Sequence, residues 1–139
     1  MNKLQITAYY EDKFKDIGII KNGLRTKLVS AFMNDNIQDC SSPKELFSLS
    51  LVLCFYKSAK KVLISKNKPT LDVKVKVLCD TLIDKKGYFF RINLFCGIQE
   101  LSISEIKNIV EETHKKCPVS RILNDYHQFT VNSVEYNEI

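Results

Sequence analysis

One segment, Ser41 to Leu63 (SSPKELFSLSLVLCFYKSAKKVL), constrains the fold more than any other part of the chain. Its two serines, followed by Pro43 and by Glu45 in the first turn, are typical of a helix start. The middle of the segment is apolar with almost no polar interruption, and lysines follow near its end. A helix that is apolar nearly all round is buried on most sides. The segment therefore predicts a long, buried central helix with Cys54 in its middle.

Alternating apolar residues and turn signals predict strands on both sides of this helix. The predicted strands are Leu4 to Tyr10, Ile17 to Ile20, Leu24 to Phe32, Thr70 to Leu82, Tyr88 to Ile98 and Gln128 to Tyr136. An Asn-Gly pair between the second and third strands is a good hairpin turn, since both residues tolerate positive φ. Strands outnumber helices and are joined by hairpins, so the predicted class is α+β with antiparallel sheets.

A second helix is predicted between the last two strands. Ser102 to Glu105 reads S-x-x-E, which is a capping box, and apolar residues at helical spacing follow as far as Cys117. Pro118 disfavours the α conformation in the residue before it, so the helix is expected to break at Cys117.

Length and composition predict one soluble, cytoplasmic domain. The chain of 139 residues suits a single domain over residues 1–139, and its 45% hydrophobic content suits a packed core. The first residues contain no apolar run of the kind found in signal peptides, and the longest apolar stretch is too short to span a bilayer. No membrane partner is therefore expected.

Nucleic-acid and metal binding are both disfavoured. The net charge of +5 is compatible with an anionic partner, but the lysines are spread along the chain and no run exceeds two. His114 and Cys117 are three residues apart on the second helix and would share a metal, but two ligands do not make a site. The chain contains no C-x-x-C motif. We therefore expect neither a nucleic-acid partner nor a bound metal.

The cysteines leave two interpretations open. There are five, an odd count without a secretion signal, which argues against a structural disulfide framework. Cys79 and Cys96 lie on the apolar faces of the two predicted hairpin strands and are interpreted as packing residues. Cys54 and Cys117 lie on apolar faces of the two long helices, where they are either packing residues or a redox pair.

A redox role has physical requirements. Burial raises a thiol's pKa, and a mid-helix cysteine lacks the favourable helix N-terminus. A reactive Cys54 would therefore need a cation from elsewhere in the fold. The candidates are Lys13, Arg25, Lys44 and Arg121. Cys117, at a helix end with a proline break, has the local freedom of a resolving thiol that approaches a sulfenic acid.

Two motifs carry a family resemblance. The first is P-x-E-L-F followed by S-L-V-L-C-F, which places Cys54 eleven residues after Pro43, and the second is H-K-K-C-P-V-S-R-I-L around Cys117. The first resembles the peroxidatic-cysteine helix of the OsmC/Ohr family, the osmotically inducible protein C and organic hydroperoxide resistance proteins. The second resembles the family's second-cysteine signature in its OsmC-like form. The order of elements resembles the family over nearly the whole chain.

The resemblance implies a fold and an activity. It implies an intertwined homodimer with antiparallel sheets around two buried central helices and active sites at the dimer interface. It implies a cysteine-based peroxidase in which Cys54 attacks an organic hydroperoxide, becomes a sulfenic acid and forms a disulfide with Cys117. An external dithiol, of the lipoyl type or another thiol, would then reduce the disulfide. No metal, flavin or haem is implied.

The chain departs from the family pattern at two places. Lys13 stands where the family has a thiolate-stabilising arginine, and lysine keeps the charge but lacks the planar, bidentate fork. Lys44 occupies the usual place of the orienting acid, and Glu45 follows one residue later, about 100° further round the helix. These departures motivate an alternative: a non-catalytic stress-response or apolar-ligand-binding module of the same fold.

Overall fold

A computed structural model of the chain describes residues 5–29 and 36–139. The chain forms two compact units, with the boundary between Phe47 and Ser48. Among the described residues, the first unit has three short strands and the first turn of the long helix. The second unit has the rest of that helix, three strands and two further α-helices. The prediction of a single domain over residues 1–139 stays a prediction.

The first unit contains the predicted antiparallel meander. Its strands, in the order β1-β2-β3, are Ala8–Tyr9, Ile17–Ile20 and Arg25–Lys27. Asn22 at the turn between β2 and β3 has a φ of 57°, and the N–H of Gly23 donates to the carbonyl of Ile20 at 2.9 Å. The Asn-Gly turn is therefore confirmed, although the first and third strands are shorter than predicted. Leu4 and residues 30–32, which the predictions included, lie outside the described residues.

The central helix, α1, spans Pro43–Ser65 and has 23 residues. A capping box begins it: Ser42 Oγ accepts from the N–H of Glu45 at 3.1 Å, and Glu45 Oε1 accepts from the N–H of Ser42 at 3.0 Å. This arrangement satisfies two N–H groups that a helix start leaves without intrahelical partners. The S-x-x-E pattern at Ser42 to Glu45 signals this cap in the sequence, as the pattern at Ser102 does for the second helix.

The apolar middle of α1 is buried on one side within a single chain. The buried residues follow helical spacing and are Leu51, Phe55, Ala59, Val62 and Leu63. On another face Leu49, Leu53 and Tyr56 are 57%, 50% and 37% exposed. We call these three residues the exposed α1 stripe. Burial on most sides, as predicted, would require a second molecule, and the homodimer stays a prediction.

The second unit is built on a long hairpin. Its strands β4, Val73–Asp84, and β5, Gly87–Ile98, pair antiparallel over 12 residues each. The last strand, β6, Phe129–Ser133, pairs with β5 in parallel. The prediction of antiparallel sheets is therefore corrected at this strand. The chain crosses from β5 to β6 through helices, and such a crossover returns the chain in the same direction, which a hairpin does not.

Two helices form this crossover. They are α2, Ile103–Lys116, and α3, Pro118–Ile122. The predicted capping box at Ser102 and Glu105 is present, and the break falls at Cys117, whose φ of −73° and ψ of 116° are extended. Helix α2 packs against β5 and β6 through its buried residues, which are Ile106, Ile109, Val110 and Thr113. This packing fixes the position of Cys117 at the end of the helix.

Among the helices within residues 5–29 and 36–139, none combines the length and the apolar content needed to cross a bilayer.

A substitution at Gly97 in β5 tests how closely the C-terminal segment packs on the sheet. A Cβ at this position would lie 2.9 Å from the Cα of Tyr136 and 3.2 Å from the carbonyl oxygen of Glu135. Both are backbone atoms and cannot rotate away. We expect Gly97→Ala to lower the free energy of unfolding by about 1–3 kcal/mol in urea denaturation.

A matched control is Gly18→Ala. The three atoms nearest to a Cβ there would be side-chain atoms of Leu28 and Thr26 at 3.5 Å or more, which is ordinary contact. We expect a change of less than about 1 kcal/mol at this site. Equal unfolding midpoints for the Gly97 variant and the unmodified protein would contradict the packing described for the C-terminal segment.

Candidate functional site: two facing thiols

Cys54 and Cys117, the two cysteines of the predicted redox pair, face each other. They lie 63 residues apart in sequence, and their Sγ atoms are 3.4 Å apart, with the Cys117 thiol donating to Cys54. Both are free thiols. A disulfide bond is about 2.05 Å long, so the two sulfurs are in contact but not bonded. The fold thus brings together two nucleophiles from different helices.

The two sulfurs differ in their access to solvent. Cys117 is fully buried, with 0% of its surface exposed, whereas Cys54 is half-buried. A molecule arriving from solvent therefore reaches Cys54 first. The two cysteines therefore differ in environment: Cys54 is accessible from solvent, whereas Cys117 is enclosed by the protein.

Burial raises the pKa of the Cys117 thiol above its usual value of 9.0. The backbone N–H of Ser120 acts against this increase, and the neighbouring Cys54 adds to it. Near neutral pH Cys117 is therefore mainly the protonated thiol.

The proline break positions the Cys117 sulfur. Cys117 is the N-cap residue of α3, and its Sγ accepts the backbone N–H of Ser120 at 3.4 Å. Pro118 occupies the first helical position, where its missing N–H costs no hydrogen bond. The first turn of α3 therefore places the backbone N–H of Ser120 beside the Cys117 sulfur as a hydrogen-bond donor.

His114 connects α2 to α3 beside this sulfur. Its Nδ1 is hydrogen bonded to the hydroxyl of Ser120, and its Nε2 lies 3.1 Å from Oδ1 of Asn124. The ring also contacts Phe129 of β6, with ring centroids 6.0 Å apart. Residue spacing suggests His114 only as half of a metal pair, and among the described residues no cluster of three or more metal-ligating side chains is found. The hydrogen-bond partner of His114 is Ser120, and the pattern H-x-x-C-P-x-S is the sequence signal that relates these two residues.

Lys13 and Glu45 lie in the first unit. Lys13 Nζ is 3.6 Å from Glu11 with a side chain that is 73% exposed, and it lies over the ring of Phe14. Glu45 forms the cap of α1 with Ser42, and its second oxygen accepts the N–H of Asn36 at 3.2 Å. The roles assigned to Lys13 and Glu45 by resemblance stay predictions.

Two of the remaining cysteines belong to the hairpin. Cys96 is fully buried in β5, and burial raises its pKa to about 12, so it remains a neutral packing residue. Cys79 in β4 is half-buried opposite Ile92. Both positions suit the packing role that the alternation of the strands predicts.

Comparison with known proteins identifies the family. The family model described as OsmC-like protein matches residues 37–132, which include both facing cysteines. A search of curated proteins found no match.

Solved structures share the fold over nearly the whole chain. A protein described as a putative redox protein from Lactobacillus casei has a TM-score of 0.83 at 22% identity, covering 97% of this chain and 93% of that one. An organic hydroperoxide resistance protein OsmC from Legionella pneumophila has a TM-score of 0.77 at 20% identity, covering 97% and 99%. For the organic hydroperoxide resistance protein OhrB of Bacillus subtilis the values are 0.68 and 16%, covering 94% and 96%.

The three observations agree. The α+β fold matches these structures, the family model covers most of the chain, and the two signature cysteines lie in contact. The chain belongs to the OsmC-like protein family.

Proposed function

We propose that this protein is a thiol-dependent peroxidase that reduces organic hydroperoxides to alcohols. The observation that carries the proposal is the 3.4 Å contact between the Sγ atoms of Cys54 and Cys117. The names of two fold relatives, the organic hydroperoxide resistance proteins of Legionella pneumophila and Bacillus subtilis, support the choice of substrate class.

The proposed cycle begins at Cys54. Its thiolate attacks the terminal, hydroxyl-bearing oxygen of the hydroperoxide, the O–O bond breaks, and the alkoxide leaves and takes up a proton to become an alcohol. Cys54 is then a sulfenic acid. The sulfur of Cys117 attacks the sulfenic sulfur, so that a disulfide forms while the thiol proton and the hydroxyl leave as water.

An external dithiol, of the lipoyl type or another thiol, completes the cycle. It gives up two electrons and two protons, becomes a disulfide itself, and returns Cys54 and Cys117 to thiols. Exchange proceeds through a mixed disulfide between the reductant and one protein sulfur. The cycle requires no metal, flavin or haem, and a cytoplasmic location would supply the reducing conditions that it needs.

Exposure supports the division of roles. Cys54 is half-buried and within reach of substrate, whereas the fully buried Cys117 meets the sulfenic acid from inside the protein. Closing the gap from 3.4 Å to a bond of about 2.05 Å needs only a small displacement.

The exposed α1 stripe supports both an apolar substrate and a homodimer. Leu53 is adjacent to Cys54 in sequence and 50% exposed, and Leu49 and Tyr56 continue the same face. A second copy packed on this face would bury these side chains and enclose Cys54 in apolar surroundings, which suit an organic hydroperoxide better than hydrogen peroxide. In this assembly we propose Lys13 as the cation that stabilises the thiolate and Glu45 as its orienting acid.

An apolar cavity in the first unit favours a second candidate function. It has a volume of about 440 Å³, and the side chains of Tyr9, Ile19, Leu24, Leu28 and Leu46 contribute to its lining. The alternative is a stress-response module that binds an apolar ligand here without turnover. Reactivity of Cys54 toward hydroperoxide separates the two functions, because only the peroxidase needs it.

Serine variants test the cycle. We expect Cys54→Ser to abolish consumption of tert-butyl hydroperoxide with dithiothreitol as reductant, because the nucleophile is lost. We expect Cys117→Ser to consume one equivalent in the absence of reductant and to leave Cys54 as a sulfenic acid that dimedone traps. Peroxide consumption and mass spectrometry report both outcomes.

Cys79→Ser is the matched control, because Cys79 is half-buried like Cys54 but lies on the sheet. It should retain full activity. Full thiol-dependent reduction by the Cys54→Ser variant would refute the proposed function.

The second step should depend on pH. Because burial raises the pKa of Cys117 above its usual 9.0, only a small fraction of this thiol is ionised near neutral pH. The thiolate is the attacking form. We therefore expect the rate of disulfide closure to increase steadily from about pH 6 to about pH 9, measured by acid quenching after a single turnover. A rate that is constant over this range would contradict the assignment of Cys117 as a buried resolving thiol.

A further inference from the structure

Three residues at the helix break are connected by hydrogen bonds. The Nδ1 of His114 is hydrogen bonded to the hydroxyl of Ser120, and the backbone N–H of Ser120 donates to the Sγ of Cys117 at 3.4 Å. Ser120 and Cys117 are both fully buried. His114 lies on α2 one turn before Cys117, whereas Ser120 lies on α3 one turn after it.

We propose that His114 is a positioning residue for the resolving thiol: by holding Ser120, it keeps a backbone N–H directed at the Cys117 sulfur. This inference rests on the proposed peroxidase function. It adds to that function a residue outside the cysteine pair and assigns it to the second step of the cycle, the closure of the disulfide.

The orientation of the imidazole is fixed on two sides. Oδ1 of Asn124, which can only accept, lies 3.1 Å from Nε2, and this pairing favours the tautomer in which Nδ1 accepts from the Ser120 hydroxyl. The ring of Phe129 contacts the imidazole. A buried hydroxyl without a partner is unfavourable. The bond to His114 therefore fixes both the Ser120 side chain and the backbone attached to it.

The N–H of Ser120 matters most when charge develops on Cys117. Attack on the sulfenic acid requires electron density at this sulfur, and burial alone disfavours the thiolate. A donated hydrogen bond stabilises the charged sulfur and also directs it, because Cys117 Sγ must face Cys54 Sγ to react. The same bond would stabilise Cys117 as a leaving group when a reductant attacks Cys54, since a thiol of lower pKa leaves faster.

The hydrogen bond between His114 and Ser120, which we call the clamp, spans the break at Cys117 and Pro118. At this break the chain must adjust when the sulfurs close from contact to bond. The clamp joins the short helix α3, Pro118–Ile122, to the end of α2 through their side chains. The clamp thus limits the motion that moves the N–H away from the sulfur.

Single-turnover kinetics with substituted proteins test the proposal. We expect His114→Ala and Ser120→Ala to slow disulfide closure about tenfold each, near the lower end of the loss expected for one hydrogen bond to a charged group. The oxidation of Cys54 to its sulfenic acid should proceed as in the unmodified protein. The double variant should be no slower than either single variant, because both remove the same clamp.

Conservative variants separate positioning from a general effect on packing. In His114→Asn the amide oxygen takes the place of Nδ1 and can accept from Ser120, so closure should recover. In His114→Gln the polar group reaches only the place of Nε2, so closure should stay slow. His127→Ala is the matched control, since His127 is exposed and contacts Tyr126. Equal closure rates in the Asn and Gln variants, or an unchanged rate in His114→Ala, would overturn the proposal.

A peroxide-free readout keeps this test independent of the proposed function. The ultraviolet absorbance of the thiolate, taken as the difference between Cys54→Ser and Cys54→Ser/Cys117→Ser proteins, reports the ionisation of Cys117. Adding His114→Ala to both should move the titration to higher pH, and adding His114→Asn should restore it. An unmoved titration overturns the role of His114. Failure of Cys54 to react with tert-butyl hydroperoxide would instead overturn the peroxidase and leave the titration to decide the role of His114.

Discussion

The break that Pro118 imposes on the polypeptide is the constraint on which the candidate site depends. Proline disfavours the α conformation in the preceding residue, so α2 ends at Cys117 and a new helix begins directly after it. In a continuous helix, the N–H of Ser120 would not be directed at a side chain three residues earlier. At the break it donates to the Cys117 sulfur, and the sulfur faces Cys54.

The long helix α1 supplies the other half of the pair and a second surface. One face of α1 packs in the core through Leu51 and Phe55. Because Cys54 lies between these two residues in the sequence, their packing fixes its position. Another face carries the exposed α1 stripe. A helix with both an internal and an external apolar face suits a protein that buries its site by association, as we propose for this chain.

Local patterns in the sequence predict most of the elements. The capping box at Ser102, the Asn-Gly turn at Asn22 and the break before Pro118 are each encoded in a few neighbouring residues, and all three are present. The parallel pairing of β6 was not predicted from the strand's own residues, which do not specify its direction. The predicted helix between β5 and β6 is the kind of crossover that joins parallel neighbours. Ser42 and Glu45 are both predicted at the start of α1, and their reciprocal hydrogen bonds as a capping box are an additional finding of the structure.

The candidate site was predictable in part. Family resemblance singled out Cys54 and Cys117, and the fold places their sulfurs in contact. The hydrogen bond of His114 to Ser120 depends on the angle between α2 and α3, which residue spacing alone does not specify. The roles of Lys13 and Glu45 at the thiolate came from the family pattern, because charge and position at a helix start do not specify contact with Cys54.

The most direct test of the cysteine pair is peptide mapping by mass spectrometry after the reduced protein reacts with one equivalent of tert-butyl hydroperoxide. Non-reducing digestion and alkylation of the remaining thiols would identify every oxidised cysteine. We predict one product, a disulfide linking the peptides that contain Cys54 and Cys117, with Cys40, Cys79 and Cys96 alkylated after denaturation. A disulfide through another cysteine, or oxidation that leaves Cys54 as a thiol, would contradict the proposed peroxidase.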